Sequence, residues 1–299
     1  MDYKFAGDFT KAALGPFLNA EKKKVWSDPQ ATVNQDFDPD GKWYSIVQDS
    51  RFPGGRACRM LYGKGRVGMQ DQSYQVRLPS PGTVANLEYY WMAEEGFSWC
   101  TPNDAKVSGG KLSACIQWGP VGGSVDRGTR CMFWWAGSGS NYGNEKFFPT
   151  CQDQASGNQL VQPVKYGPKI VDEQLYKLRI QCMGGPQGWA SYWIDDQLIA
   201  ETGTKNLMHD AKDDVFFDFA FFSGGSGANY APEHDSFARH GGVRYWSGAA
   251  YWVDDEGGNG GESGEGGGGS TPQPPAGLHT VDASVIIDGE IYSGRLTKT

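Results

Sequence analysis

The amino-acid sequence predicts an all-β fold: a β-sandwich or jelly roll, followed by a Gly-rich linker and a C-terminal β-hairpin. Composition is the first reason. The 299 residues include 43 Gly, 14 Tyr and 11 Trp, and frequent glycine with many aromatics suits short strands joined by tight turns. Patterning is the second. From Trp43 onward, short runs of alternating character are closed by Gly or Pro, the punctuation of a sandwich and not of a helical bundle. The third is what the runs lack. None approaches the roughly 20 consecutive apolar residues of a membrane-crossing helix, so membrane insertion is not expected.

The elements follow in order. Residues 1–40 are mixed and charged and read as an N-terminal arm, with a short helix over FTKAALGPFLNAEKKK interrupted at Gly15-Pro16, because proline breaks a helix interior. Residues 41–256 form the sandwich. SYQVRLPSPG alternates and stops at Pro-Gly; TVANLEYYWMA follows, with Val84, Leu87, Tyr89 and Trp91 as packing residues. In LYKLRIQCM, Leu175, Lys177, Arg179 and Gln181 alternate against Tyr176, Leu178, Ile180 and Cys182. The turn GGPQG leads into WASYWIDDQLIAE, which has its own turn at Asp195-Asp196. VFFDFAFFSGG is nearly continuous in apolar residues and predicts a central strand buried on both faces. GGVRYWSGAAYWVDD closes the domain.

After Glu256 the composition breaks. Residues 257–278 are rich in Gly and Ser, then Pro, and read as a linker. Residues 279–299 carry Asp288-Gly289 between two alternating runs, the strongest local signal for a hairpin. A lone two-stranded hairpin is marginally stable in water. It is therefore expected to need a partner: another copy of the chain, or another protein of an assembly.

The segment from Ser108 to Pro149 carries the chemistry. Three short runs there are joined by Gly-rich turns, and alternate side chains of a strand point to opposite faces. Lys111, Ser113, Cys115 and Gln117 share one face, against Leu112, Ala114 and Ile116. Arg130, Met132 and Trp134 share another, against Cys131, Phe133 and Trp135. A polar, cationic and aromatic face backed by an apolar one suits a sugar-binding groove. Among Trp118, Trp134 and Trp135, one is expected to stack on a sugar ring, with Trp135 the one expected in the core.

Charge narrows the partners. The formal net charge is −8, which disfavours nucleic acid and anionic membranes. An anionic ligand would have to be held by local cations, for which Lys111, Arg127 and Arg130 are the candidates. The six cysteines (Cys58, Cys100, Cys115, Cys131, Cys151 and Cys182) form no CxxC pair, and free buried thiols are expected. The four histidines are scattered, so neither a metal site nor a cofactor is expected. The beginning MDYKFAGDFTKAALGPF has no apolar signal-peptide core, and classical secretion is not expected.

The stretch NLEYYWMAEEGFSWCTPNDAKVSGGKLSACIQWG resembles the polysaccharide lyase family 14 domain of alginate and glucuronan lyases. Gly109, Gly110, Lys111 and Leu112 match the family's GGKLPG motif, with Ser113 at the proline. GTRCMFWW is similar to the following family strand at Arg130 and Trp134. The hairpin YKLRIQCMGGPQGWASYWIDDQLI and the segment FFSGGSGANYAPEHDSFA look like later family elements, so the resemblance spans residues 45–255. It implies a jelly roll whose concave sheet binds an anionic polysaccharide and cleaves it by β-elimination. Lys111 would contact or act on substrate, and Arg130 would pair the uronate carboxylate, a task that suits a guanidinium fork. The family's YxY pair before a proline falls on Glu145 and Phe147 when anchored on Pro149, leaving Tyr142 as the nearby hydroxyl. The expected site is thus Lys111, Arg130 and Tyr142 for catalysis, with Gln117, Trp134, Glu145 and Phe147 lining the ligand.

Three functions are compatible with this reading. The first is a polysaccharide-binding jelly roll of a viral (phage) particle, located in the virion as a tail, fibre or head decoration; extracellular and cytoplasmic locations are the alternatives. The linker and the dependent hairpin favour it. The second is an active lyase of uronate polymers. The third is a purely structural jelly roll.

Overall fold

In the computed structural model the described residues are 5–25, 32–33, 40–66, 68–69, 74–77, 84–99, 109–119, 129–136, 146–153, 159–161, 167–204, 206–207, 214–219, 222–223, 231–247, 281–287 and 290–296. The chain divides into two compact units, Met1–Tyr251 and Trp252–Thr299.

The first unit is an all-β jelly-roll sandwich of two antiparallel sheets. A nine-stranded sheet runs in the order Gln197–Glu201, Trp189–Ile194, Tyr176–Met183, Val84–Ala93, Ser236–Ser247, Arg56–Tyr62, Tyr44–Gln48 and Gly15–Pro16, with Phe5–Gly7 added beside Ser236–Ser247. A seven-stranded sheet runs Gln159–Val161, Lys146–Asp153, Thr129–Ala136, Gly109–Gly119, Asp214–Phe219, Tyr74–Arg77 and Thr32–Val33.

Alternation explains how the two sheets meet. In Val84–Ala93 the odd positions Ala85, Leu87, Tyr89, Trp91 and Ala93 are fully buried. Val84, expected in the core, has the other parity and is only half-buried. Tyr176, Leu178, Ile180 and Cys182 likewise face inward. From the opposite sheet come Cys131, Phe133, Trp135, Phe147 and Cys151. Rings interlock across the gap, with Trp91 5.9 Å from Phe147 and Phe133 5.5 Å from Tyr192, both edge to face. Burial of such large rings is the main stabilising term of the sandwich.

The turns have identifiable chemistry. Asp195 and Asp196 both hold positive φ, 48° and 66°, which a two-residue type I′ hairpin requires. Asp195 Oδ1 also accepts from the Lys177 backbone N–H at 2.8 Å. The strand that crosses the middle of the larger sheet begins at Ser236 and not at the GGVRYW run. Its pairing shifts between Gly241 and Arg244, where Gly242 has φ +55° and a side-chain carbon on Gly241 would lie 2.6 Å from Phe52. The glycine pair is therefore a β-bulge inside a strand.

Of the expected arm, the described residues 5–25 pack on the core. Phe5–Gly7 pairs with the central strand, and Phe9, Ala12, Phe17 and Val25 lie in the main hydrophobic cluster. The helical content is a 3-10 turn at Phe9–Lys11 and a helix at Asn19–Val25, separated by Gly15–Pro16, which pairs as a strand. Phe9 and Phe17 stack edge to face at 5.9 Å. In the second unit, Val281–Ile287 and Glu290–Leu296 form an antiparallel pair in which Ile287 opposes Glu290, so two residues, Asp288 and Gly289, make the connection.

Candidate functional site

The seven-stranded sheet has one face in the core and one away from it. Cys131, Phe133 and Trp135 are buried among core residues, so Arg130, Met132 and Trp134 belong to the opposite, outer face by alternation. Directly opposed residues of antiparallel strands share a face, and the register then orders that face in rows. One row reads Gln152, Arg130, Gln117, Phe216 and Arg77. The next reads Thr150, Met132, Cys115, Asp218 and Gln75. A third reads Phe148, Trp134 and Lys111.

An irregularity separates the last two rows. Met132 pairs with Cys115, while Trp134 pairs with Lys111. Three residues, 112–114, thus stand against Phe133 alone. The two extra residues leave the alternation of SGGKLSACIQWG intact: Leu112 and Ile116 lie in the core cluster, while Lys111 and Cys115, four residues apart, take outer-face positions. Bulges of this kind re-aim side chains and recur beside functional sites.

The expected site residues fall into three groups. Lys111, Gln117, Arg130 and Trp134 take register positions on the outer face. Arg130 is only 3% exposed, so it lies within the protein surface and not in an open trough. The ring of Trp134 is half-buried and tilted against Phe148, with centroids 6.4 Å apart. Phe147 is a correction. Its ring is fully buried, 4.8 Å from Tyr176 and 5.9 Å from Trp91, so it is a core residue and lines no ligand. The aromatic ring on the outer face is its neighbour Phe148, which opposes Trp134. Tyr142 and Glu145 lie outside the described residues. Trp135, expected in the core, is 1% exposed and packs edge to face with Phe97 and Trp99.

Register also adds residues that sequence reasoning missed. Arg77 and Gln75 of Tyr74–Arg77, and Asp218 of Asp214–Phe219, take register positions on this face. The signal lies in the spacing of Asp214 and Asp218 in DVFFDFAFF, two aspartates of one parity in a run otherwise apolar on both sides. On the described strands of this face the ladder places the cations Arg77, Lys111, Arg130 and Lys146 and the carboxylates Asp214 and Asp218. That local excess of positive charge stands in a chain of net charge −8. A face so charged, carrying amides and half-buried rings, can pair carboxylates and pack against sugar rings.

The described cysteines, Cys58, Cys115, Cys131, Cys151 and Cys182, are buried and unbridged. Among the described residues, no group of three or more His, Cys, Asp or Glu side chains is arranged to hold a metal ion.

No protein-family model and no curated protein matches the chain. Solved structures do. Alginate lyase Aly36B superposes with a TM-score of 0.61 at 16% identity, covering 82% of this chain and 97% of that one. A variant of that enzyme solved in complex with an alginate tetrasaccharide superposes with a TM-score of 0.58, also at 16% identity and with the same coverages, 82% and 97%. The family 14 alginate lyase of Aplysia kurodai gives 0.52 at 14% identity, covering 70% of this chain and 88% of that one. At such identities the likeness is one of architecture, and what this chain shares with those enzymes is a polysaccharide-lyase-like jelly roll.

Proposed function

We propose that the chain binds an anionic, uronate-containing polysaccharide on the outer face of its seven-stranded sheet and cleaves it by β-elimination. The observation that carries this reading is the pair of rows in which Arg130 stands between Gln117 and Gln152, and Trp134 between Lys111 and Phe148. The jelly-roll likeness to alginate lyases supports it, and one of those lyases was solved with an alginate tetrasaccharide bound.

The chemistry follows from the substrate. A uronate carries an acidic proton on the carbon beside its carboxylate, and a cation that neutralises the carboxylate makes that proton easier to remove. Arg130 supplies the cation. Lys111 or Tyr142 removes the proton; the C–H electron pair becomes the ring double bond, the glycosidic C–O bond breaks, and the leaving oxygen takes a proton from the other group. Neither ring of that row, Trp134 nor Phe148, carries a hydroxyl, so the phenol role falls to Tyr142.

Incubation with alginate and with glucuronan tests this. The expected result is rising ultraviolet absorbance from the unsaturated sugar end. Retention on immobilised alginate without any such product would overturn the elimination step and leave recognition standing. Loss of both would overturn the whole reading.

A second proposal concerns the second unit. Its two strands pair only with each other among the described residues, and such a hairpin is marginal alone. We propose that it anchors the chain to another copy, or to another protein of a particle such as a virion. Deleting residues 257–299 is expected to leave a soluble sandwich that no longer assembles; sedimentation of an unchanged oligomer would count against it.

A further inference from the structure

The interior of the sandwich holds an unusual concentration of thiols. Cys131 and Cys151 are directly opposed on neighbouring strands, both fully buried, with their sulfurs 3.2 Å apart. Cys182 comes from the facing sheet and lies beside Cys131, as does Tyr192, whose hydroxyl donates to the Thr150 carbonyl at 2.7 Å. None of these thiols takes part in the polysaccharide reading, since all lie on the core side of the sheets.

We propose that Cys131 and Cys151 close to a cross-strand disulfide when the chain folds in the presence of a small-molecule disulfide, stapling the two strands that carry Arg130 and Phe148. Backbone geometry selects this pair. Opposed residues of an antiparallel ladder have α-carbons roughly 4.5–5.5 Å apart, inside the span of about 4.4–6.8 Å that a disulfide needs. Packed sheets stand about 10 Å apart, so Cys182 is a neighbour on the far wall and not a bridging partner. Cys115 is opposed by Met132 and belongs to the outer face.

In the closed fold burial works against ionisation of the Cys131 thiol, but its hydrogen bonds with the neighbouring groups outweigh that and lower it. The hydrogen bond to Cys131, then burial, pushes the Cys151 thiol up. The exchange balances with oxidised glutathione as co-reactant. The Cys131 thiolate attacks one glutathione sulfur, forming a mixed disulfide and releasing one reduced glutathione. The Cys151 thiolate then attacks the Cys131 sulfur and releases the second. Both thiol protons end on the two glutathiones. Because the sulfurs are buried in the finished fold, the bridge forms before the sheets close, and reduction afterwards requires the strands to open.

Refolding the full chain in oxidised glutathione, then alkylating free thiols under denaturing conditions, reads the outcome by mass spectrometry. The expected result is a protein lighter by two hydrogens, with the bridge mapped to the peptides holding Cys131 and Cys151. Its thermal midpoint should lie several degrees above that of the reduced chain and return on adding dithiothreitol. Cys182→Ser should keep the bridge and Cys151→Ser should lose it. Complete alkylation of every cysteine, or a bridge mapped to Cys182 or any other pair, overturns the proposal. The wild-type peptide map decides this even where a variant fails to fold.

Discussion

The outer faces of the two sheets carry the same kinds of residue and use them differently. On the nine-stranded sheet the arginines meet carboxylates. Arg179 Nε donates to Glu88 at 2.6 Å, Arg59 and Arg239 each donate to Glu94 at 2.7 Å, and Arg51 and Arg239 hold Asp49 at 2.9 and 2.6 Å. On the seven-stranded sheet the ladder neighbours are of another kind: Gln117 and Gln152 flank Arg130, Trp134 opposes Lys111, and Phe216 opposes Arg77. An arginine set against a carboxylate holds strands together. On the proposed function, the cations of the seven-stranded sheet meet the carboxylate brought by a polysaccharide.

The sharpest way to break this comparison is to remove one cation from each face. Arg179 and Glu88 have side chains only 4% and 7% exposed, and Arg179 also contacts Asp196. Taking away one partner of such a pair strands a buried charge and costs about 3–5 kcal/mol. Arg179→Ala should therefore lower the urea midpoint steeply, while the folded fraction keeps its retention on immobilised alginate. Lys111→Ala should do the reverse: unchanged stability and retention weakened about tenfold, or about 1.4 kcal/mol. Arg130→Ala stands between them, losing retention and also stability because the residue is buried. Equal effects of Arg179→Ala and Lys111→Ala on both measurements would erase the distinction.

Acid titration should also act through the nine-stranded sheet. Burial alone lowers the pKa of His240 from 6.5 to about 3. Between those values the unfolded chain binds a proton that the folded one does not, so stability falls as pH drops from 6.5 toward 3. Asp49 adds a lower window. Burial opposes its ionisation, but hydrogen bonds from Arg51 and Arg239 outweigh it and lower the pKa from 3.8 to about 2. Its contribution is complete above 3.8 and is lost as pH falls toward 2. Thermal midpoints measured from pH 7 to pH 3 should decline from about pH 6, and His240→Gln should flatten the upper part of that decline. A slope unchanged by that substitution would remove His240 as its cause.

What was legible in the sequence follows from what alternation can and cannot say. Period-two patterning separates Arg130 and Trp134 from Cys131, Phe133 and Trp135 within one strand, and those assignments need no partner strand. Placing Arg77 and Asp218 in the same rows as residues 115–132 depends on pairing across long sequence separations, which no local pattern encodes. Phe147 shows how thin the margin is: a shift of one residue moves a side chain to the other face, and the outward ring is Phe148. The irregularity opposite Phe133 adds two residues, which shifts the rows without changing which face each side chain takes. Residues 1–40 looked like an arm because Phe9, Phe17 and Val25 are spaced by turns and polar residues, so their burial has no periodic signature.

The smallest structural change carries the most pointed chemical test. Phe148 and Trp134 lie in the row that ends at Lys111, and Phe148 is half-buried. Phe148→Tyr adds one hydroxyl at the rim of the outer face, where water or a neighbour can satisfy it, so stability should change by less than about 0.5 kcal/mol. The core position behaves oppositely, since Phe147→Ala should cost about 3–5 kcal/mol through the cavity it leaves. If Tyr142 supplies the phenol of the elimination, Phe148→Tyr should leave the rate of unsaturated product within a few-fold of the original and Tyr142→Phe should abolish it. If the outer face only binds, neither variant should produce any ultraviolet signal. A gain of elimination in Phe148→Tyr from an inactive parent would place the missing hydroxyl at residue 148 and assign the native face to recognition alone.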